Sequence, residues 1–151
     1  SEVITEGVNY KMNEFQAAVG LLQLDHVDGY IIKRSIISDI YRKSIKEIEG
    51  LKCTPLPPVI RNNYAYFPIL VEDSYPLSRD ELHEKLWSGG IHTRRYFYPL
   101  ITQFPMYRNL PSSAVANLPV ATMIASKVIC LPIYPDLSKT DIDRILDLIT
   151  P

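Results

Sequence analysis

The sequence predicts an α+β fold: long N-terminal helices followed by a small helix-covered sheet. Three observations point there. Capping signals at Asn13-x-x-Gln16, Ser78-x-x-Glu81 and Ser138-x-x-Asp141 each open an apolar run at helical spacing. Glycines at Gly50 and Gly89-Gly90 stop two helical runs. Between the later helices lie short aromatic and β-branched stretches, better suited to strands than to helices. The expected organisation is a helical arm over residues 1–50 and a β-α-β-α-β-α unit over 51–151.

The first helix starts at Asn13 and places Phe15, Ala18, Val19, Leu22, Gln23 and His26 at helical spacing, with Leu21 and Leu24 widening the apolar stripe. A helix this apolar has to pack on neighbours, either its own sheet or something outside the chain. Asp28-Gly29 predicts a break or kink, because glycine costs about 1 kcal/mol inside a helix. A second helix then runs to Ile48, with Ile32, Ile36, Ile40, Tyr41, Ile45 and Ile48 inward and Lys33, Lys43 and Lys46 outward. "CTPLPPV" predicts an extended connection. Asn63–Val71 predicts a strand, placed by Pro68 at an edge or bulge. A helix from Ser78 to Ser88 leads to a strand, "IHTRRYFY", that Pro99 stops. After a loop over 100–118, "VATMIASKVI" predicts a short helix and "CLPIY" a brief strand or extended segment. The last helix turns Ile142, Ile145, Leu146 and Ile149 inward.

Composition narrows the function class. The 151 residues suit one domain with its own core. A formal net charge of −1 gives nucleic acid or an anionic membrane no electrostatic purchase, and 46% apolar with 22% charged residues is ordinary for a soluble globular chain. No run reaches the roughly 18–20 apolar residues of a membrane span, and no basic-then-apolar leader opens the sequence, so a cytoplasmic location is expected. Cys53 and Cys130 lack any metal-type spacing and are expected as reduced thiols. Ten tyrosines and twelve prolines cluster in rigid, aromatic stretches that either line a pocket or close a small core.

No phosphate-loop, dinucleotide, zinc-helix or nucleophile-elbow motif occurs, so no metal ligand and no catalytic residue is assigned. The carboxylates fall in first turns of helices, where they complement the dipole. Two constellations remain. In "HTRRYFYPL", strand alternation puts Arg94, Tyr96 and Tyr98 on one face and Thr93, Arg95 and Phe97 on the other. An arginine beside two tyrosines can hold a phosphate or carboxylate and offer hydroxyls to a sugar, or simply stack on surface aromatics. His92 stands at its start as a candidate ligand contact. In "GVNYKMN", Asn9 precedes a capped helix, where its amide either meets an anion or bonds its own turn.

Together "GVNYKMNEFQAAVGLLQLDHVD", "GIHTRRYFYPL" and "NLPVATMIASKVICLPIYPDLSKTDIDRI" resemble, in order and spacing, the C-terminal part of the DegT/DnrJ/EryC1/StrS sugar aminotransferases. The resemblance covers essentially the whole chain. It implies the small domain of a fold-type I enzyme that uses pyridoxal 5'-phosphate (PLP) and aminates a nucleotide-linked keto sugar, with glutamate as amino donor. The "RRYFYPL" wording resembles members acting on dTDP-linked keto-6-deoxyhexoses, enzymes of deoxysugar and surface-polysaccharide synthesis. A homodimer with a shared active site is implied. Asn9 would reach across the interface to the PLP phosphate of the partner subunit, with Lys11 beside it where members usually carry arginine. Lysine keeps the charge and loses the bidentate fork. Tyr96 and Tyr98, with Arg94 and His92, would border the nucleotide-sugar side. Phe97 stands where many members have a histidine, so no acid–base role carries over. The lysine that holds PLP would lie N-terminal to everything here, and the chain alone would be inactive. Two other readings stay open: a free-standing module binding a small anion, and an inactive partner that complements a separate large domain.

Overall fold

The computed structural model describes residues 11–57 and 60–151. Helix α1 (Glu14–Ile45) opens the described chain, capped by the predicted box: the Asn13 side chain accepts from Gln16 N at 2.8 Å and Gln16 returns the bond at 3.1 Å. It is one continuous helix, and the expected break at Asp28-Gly29 does not occur. A glycine costs about 1 kcal/mol at such a position, too little to interrupt a helix of 32 residues whose C-terminal half is anchored in the core.

The anchored face is also rotated from the expected one. Ile37, Tyr41 and Ile45 are buried with Ser38, and the Tyr41 hydroxyl donates to Pro132 O at 3.0 Å. Ile32, Ile36 and Ile40 instead lie exposed. Two apolar stripes run side by side here, and only one faces this chain's core.

Strands β1 (Leu51–Cys53), β2 (Phe67–Val71) and β3 (Val128–Leu131) form an antiparallel sheet in the order β1-β2-β3. Register pairs Leu51 with Val71 and Ile69 with Ile129, so Leu51, Phe67, Ile69, Val71, Ile129 and Leu131 share one face. That face packs with α1, α2 (Arg79–Ser88) and α4 (Lys139–Ile149) into one core. Helix α3 (Pro119–Lys127) packs against β2 and buries only Ala125.

Several boundaries differ from expectation, each for a local reason. β1 ends inside the segment expected to be a connection. Residues before Phe67 are turn rather than strand, because Asn62 and Asn63 side chains accept from Tyr64 N and Ala65 N at 2.6 and 3.0 Å. Pro68 sits in the central strand, yet β1 stops at Cys53, one position short of it. Thr54 Oγ1 donates to Pro68 O at 3.5 Å, so on that side Pro68 behaves as an edge residue with no ladder bond to lose. Strand β3 begins at Val128, taking two residues expected in the preceding helix. Most consequentially, "IHTRRYFY" is no strand: Arg94 and Cys130 form a single bridge, and Tyr98 N then donates to Arg95 O at 3.0 Å to close a turn. The turn contains cis peptide bonds at Tyr96–Phe97 and Tyr98–Pro99.

The predicted caps of α2 and α4 form as expected, with Ser78 accepting from Glu81 N and Ser138 from Asp141 N. Ile142, Ile145 and Ile149 point inward. No described helix is long and apolar enough to cross a membrane.

Candidate functional site

A cleft of about 600 Å³ opens beside the edge strand β3, between the start of α4 and residues 90–94. Its floor is apolar, from Ile91, Leu131 and Ile145, and its polar lining sets Asp141 beside Arg94, Arg144, His92, Tyr66 and Tyr134. Arg94 is exposed and makes no ion pair among the described residues, while Arg144 donates to Gly89 O. His92 lies edge-on to Trp87, with ring centroids 4.5 Å apart. Trp87 in turn donates to Thr93 O at 3.3 Å, and His83 Nδ1 is 2.7 Å from the buried Thr93 hydroxyl. Burial, followed by the nearby Arg95 charge, lowers the His83 pKa, so this imidazole is held neutral as part of the scaffold.

The structure brings His92 and Arg94 together in the cleft and sets Tyr96 beside it. The Tyr96 ring lies 4.5 Å from that of Tyr66, which lines the cleft, and stacks on Phe97 at 3.7 Å. Hydrogen bonding with the Tyr66 hydroxyl, followed by burial, raises the Tyr96 pKa, leaving a neutral phenol. Tyr98 is not on the same face as Arg94 and Tyr96, because the chain leaves the strand conformation after Arg94. Its ring sits under the Arg79 guanidinium at 4.6 Å, with Arg95 at 5.6 Å. Sequence alternation missed Tyr66 and Arg79 altogether. In sequence Tyr66 is one residue of an expected strand and Arg79 the first residue of a helix, and neither position carries a local signal of the encounter.

Asn9 lies outside the described residues. Lys11 is exposed just ahead of the Asn13 cap. The cysteines are both free: burial raises the Cys53 pKa, and that of Cys130 to about 11, although Arg42 and Arg94 respectively oppose the shift. Among the described residues no group of His, Cys, Asp and Glu is placed to hold a metal ion.

A Schiff-base cofactor such as PLP needs a desolvated lysine. Every lysine here is exposed except the half-buried Lys127. Its Nζ lies 2.9 Å from Glu72 and 3.1 Å from Asp73, and those hydrogen bonds raise its pKa. The described residues therefore do not fit a complete PLP site.

The sequence matches the model of the DegT/DnrJ/EryC1/StrS aminotransferase family over residues 2–150. It is 46% identical to a dTDP-4-amino-4,6-dideoxy-D-glucose transaminase of Escherichia coli, over 97% of this chain and 40% of that protein. Identity is 43% to a transaminase of the same name from Shigella dysenteriae, over 95% and 38%. Among solved structures it is similar to DesI, determined in the presence of its TDP-sugar product, with a TM-score of 0.84 and 30% identity over 94% of this chain and 36% of that one. DesV of S. venezuelae gives the same TM-score at 28% identity, over 97% and 38%. The chain thus spans about 40% of the length of the curated relatives it matches. On the family match and on these identities, the chain belongs to the DegT/DnrJ/EryC1/StrS aminotransferase family.

Proposed function

We propose that this chain is the C-terminal, small-domain part of a PLP-dependent aminotransferase that transfers an amino group from glutamate to a dTDP-linked keto-6-deoxyhexose. Residues 1–50 are its arm toward a large domain and a partner subunit, rooted by Ile37, Tyr41 and Ile45 in the core of the small α+β domain of residues 51–151. The 46% identity to a transaminase named for a 4-amino sugar favours C4 as the aminated carbon. The reading places the enzyme in the cytoplasm as a homodimer, in deoxysugar or surface-polysaccharide synthesis.

The observation that carries this reading is the pairing of an arginine- and tyrosine-lined cleft with an N-terminal half of α1 that packs on little among the described residues. Phe15 is 78% and Leu22 65% exposed at the far end of α1, and Leu21 and Leu24 are exposed with them. A free-standing module would have folded that stripe onto its own sheet, so the arm argues for a larger body that covers it.

When bound in the whole enzyme, PLP supplies the electron sink through which the amine moves. This chain's residues bind and orient. Asn9 and Lys11 contact the cofactor phosphate from across the dimer interface, adding charge and an amide donor at a helix start. Arg94 and His92 face the nucleotide-sugar side from the cleft, and neutral Tyr96 offers a hydroxyl to the sugar. Tyr98 closes the wall with its ring. No proton transfer is assigned to any of them.

The test is to express the whole enzyme and supply glutamate with dTDP-4-keto-6-deoxyglucose, following amino-sugar product by mass spectrometry. Product formed at C4 supports the reading. No product from that sugar or its 3-keto isomer sinks it. In the same enzyme Asn9→Ala should weaken PLP retention, and an unchanged PLP affinity would remove Asn9 from the phosphate site.

A further inference from the structure

The first turn of α2 is built against the aromatic turn in a way that the sequence did not suggest. Arg79 is only 4% exposed. Its Nη1 donates to Ala125 O at 2.9 Å and Val128 O at 3.3 Å, fastening α2 to the junction of α3 and β3. The same guanidinium lies 4.6 Å from the centre of the Tyr98 ring. Asp80 Oδ1 is 3.0 Å from Arg79 Nε and 2.9 Å from Arg95 Nη1, and Arg95 sits 5.6 Å from that ring. The Nε contact is coulombic, since its angle leaves Nε without a hydrogen bond.

An arginine this buried is costly unless its charge is met, and here one carboxylate and two carbonyls meet it. Burying it under a phenol adds a cation–π contact in a partly dry setting. The outcome is an aromatic ring held by two guanidiniums whose own positions are tied to one carboxylate. About half of Tyr98, 52%, remains exposed. A ring held by two guanidiniums yet half exposed offers surface on which a sugar can rest.

We propose that Arg79 and Asp80 are positioning residues for the nucleotide sugar, acting through Tyr98: the start of α2 sets the pose of the turn that forms the sugar wall. This rests on the function proposed above. Neither residue touches substrate. Removing either frees Tyr98 to turn, which weakens sugar binding and leaves handling of the amino donor intact.

The experiment is a double-mutant cycle in the whole enzyme with Asp80→Asn, Tyr98→Leu and both together, alongside Arg79→Lys. Steady-state kcat and KM are read separately for the nucleotide sugar and for glutamate. The expected result is a rise of roughly threefold to tenfold in the sugar KM for either single variant, the size of a lost cation–π contact. The double variant should be no worse than Tyr98→Leu, and the glutamate KM should stay flat. Arg79→Lys, which keeps the charge and loses the fork, should fall with them. If Tyr98→Leu leaves the sugar KM unchanged in an active enzyme, the positioning role is overturned and the aminotransferase assignment stands. Effects that multiply, or that strike both substrates equally, overturn it as well, since they indicate general loosening. An enzyme inactive on every keto-sugar nucleotide takes down both.

Discussion

Two glycines show how far the role of one residue depends on its surroundings. Gly50 has φ +82°, and a Cβ there would sit 2.3 Å from Tyr75 N. Gly50→Ala combines a left-handed conformation with a backbone clash, so a loss of at least about 2 kcal/mol is expected in urea denaturation. Gly29 sits inside α1 with nothing within 4 Å of such a Cβ. There Gly29→Ala should stabilise by about 0.5–1 kcal/mol. Equal effects at the two positions would contradict the backbone geometry. His83 carries a separate prediction about acid. Its folded pKa lies below the ordinary 6.5, so the unfolded chain takes up a proton first as pH falls. Stability from this group is complete above about pH 6.5 and lost as pH drops through the folded value. Replacing it by glutamine, which keeps a bond to Thr93, should flatten the pH dependence of stability just below that point. An unchanged slope would show that His83 titrates as a free imidazole.

At the scale of elements, α1 divides into an anchored half and an unpartnered half. Ile37, Tyr41 and Ile45 are locked in the core, whereas the residues from Phe15 to Leu24 meet little of this chain. Amide exchange in the isolated chain should be slow near Tyr41 and fast before Gly29, since helix without packing is marginal in water. Uniform protection along α1 would mean that the arm is stable by itself. This element also marks where sequence reading succeeded and where it stopped. The capping boxes at Asn13 and Ser78, and the Ser138 cap, were legible because a cap depends on residues three apart. The continuity of α1 was not legible, because Gly29 costs little against packing that lies eight or more residues away. β1 has three residues with lysine in the middle, too short for any periodicity. The aromatic turn carries a strand-like pattern, but alternation describes side chains only while the backbone stays extended. His92 and Arg94 still arrived together in the cleft, being next to the bridge at Cys130. Tyr98 left them for a helix 19 residues earlier in the chain, an encounter that only tertiary structure supplies.

For the whole molecule, the deciding matter is where a PLP lysine would come from. Lysine becomes a nucleophile when burial or a neighbouring cation lowers its pKa. The least exposed lysine here experiences the reverse: Glu72 and Asp73 hold Lys127 protonated, and the others face solvent. Borohydride reduction of this chain with limiting PLP should therefore give sparse adducts scattered over surface lysines. The same treatment of the whole enzyme should give one stoichiometric adduct on a lysine outside these 151 residues. Intact mass and peptide mapping read both results. A single stoichiometric adduct on the isolated chain would mean that a complete cofactor site is formed here, and the division of labour between this chain and a separate large domain would fail. Scattered labelling, by contrast, leaves this chain the work its geometry suits: presenting a charged cleft and a braced aromatic turn to chemistry carried out by a lysine elsewhere.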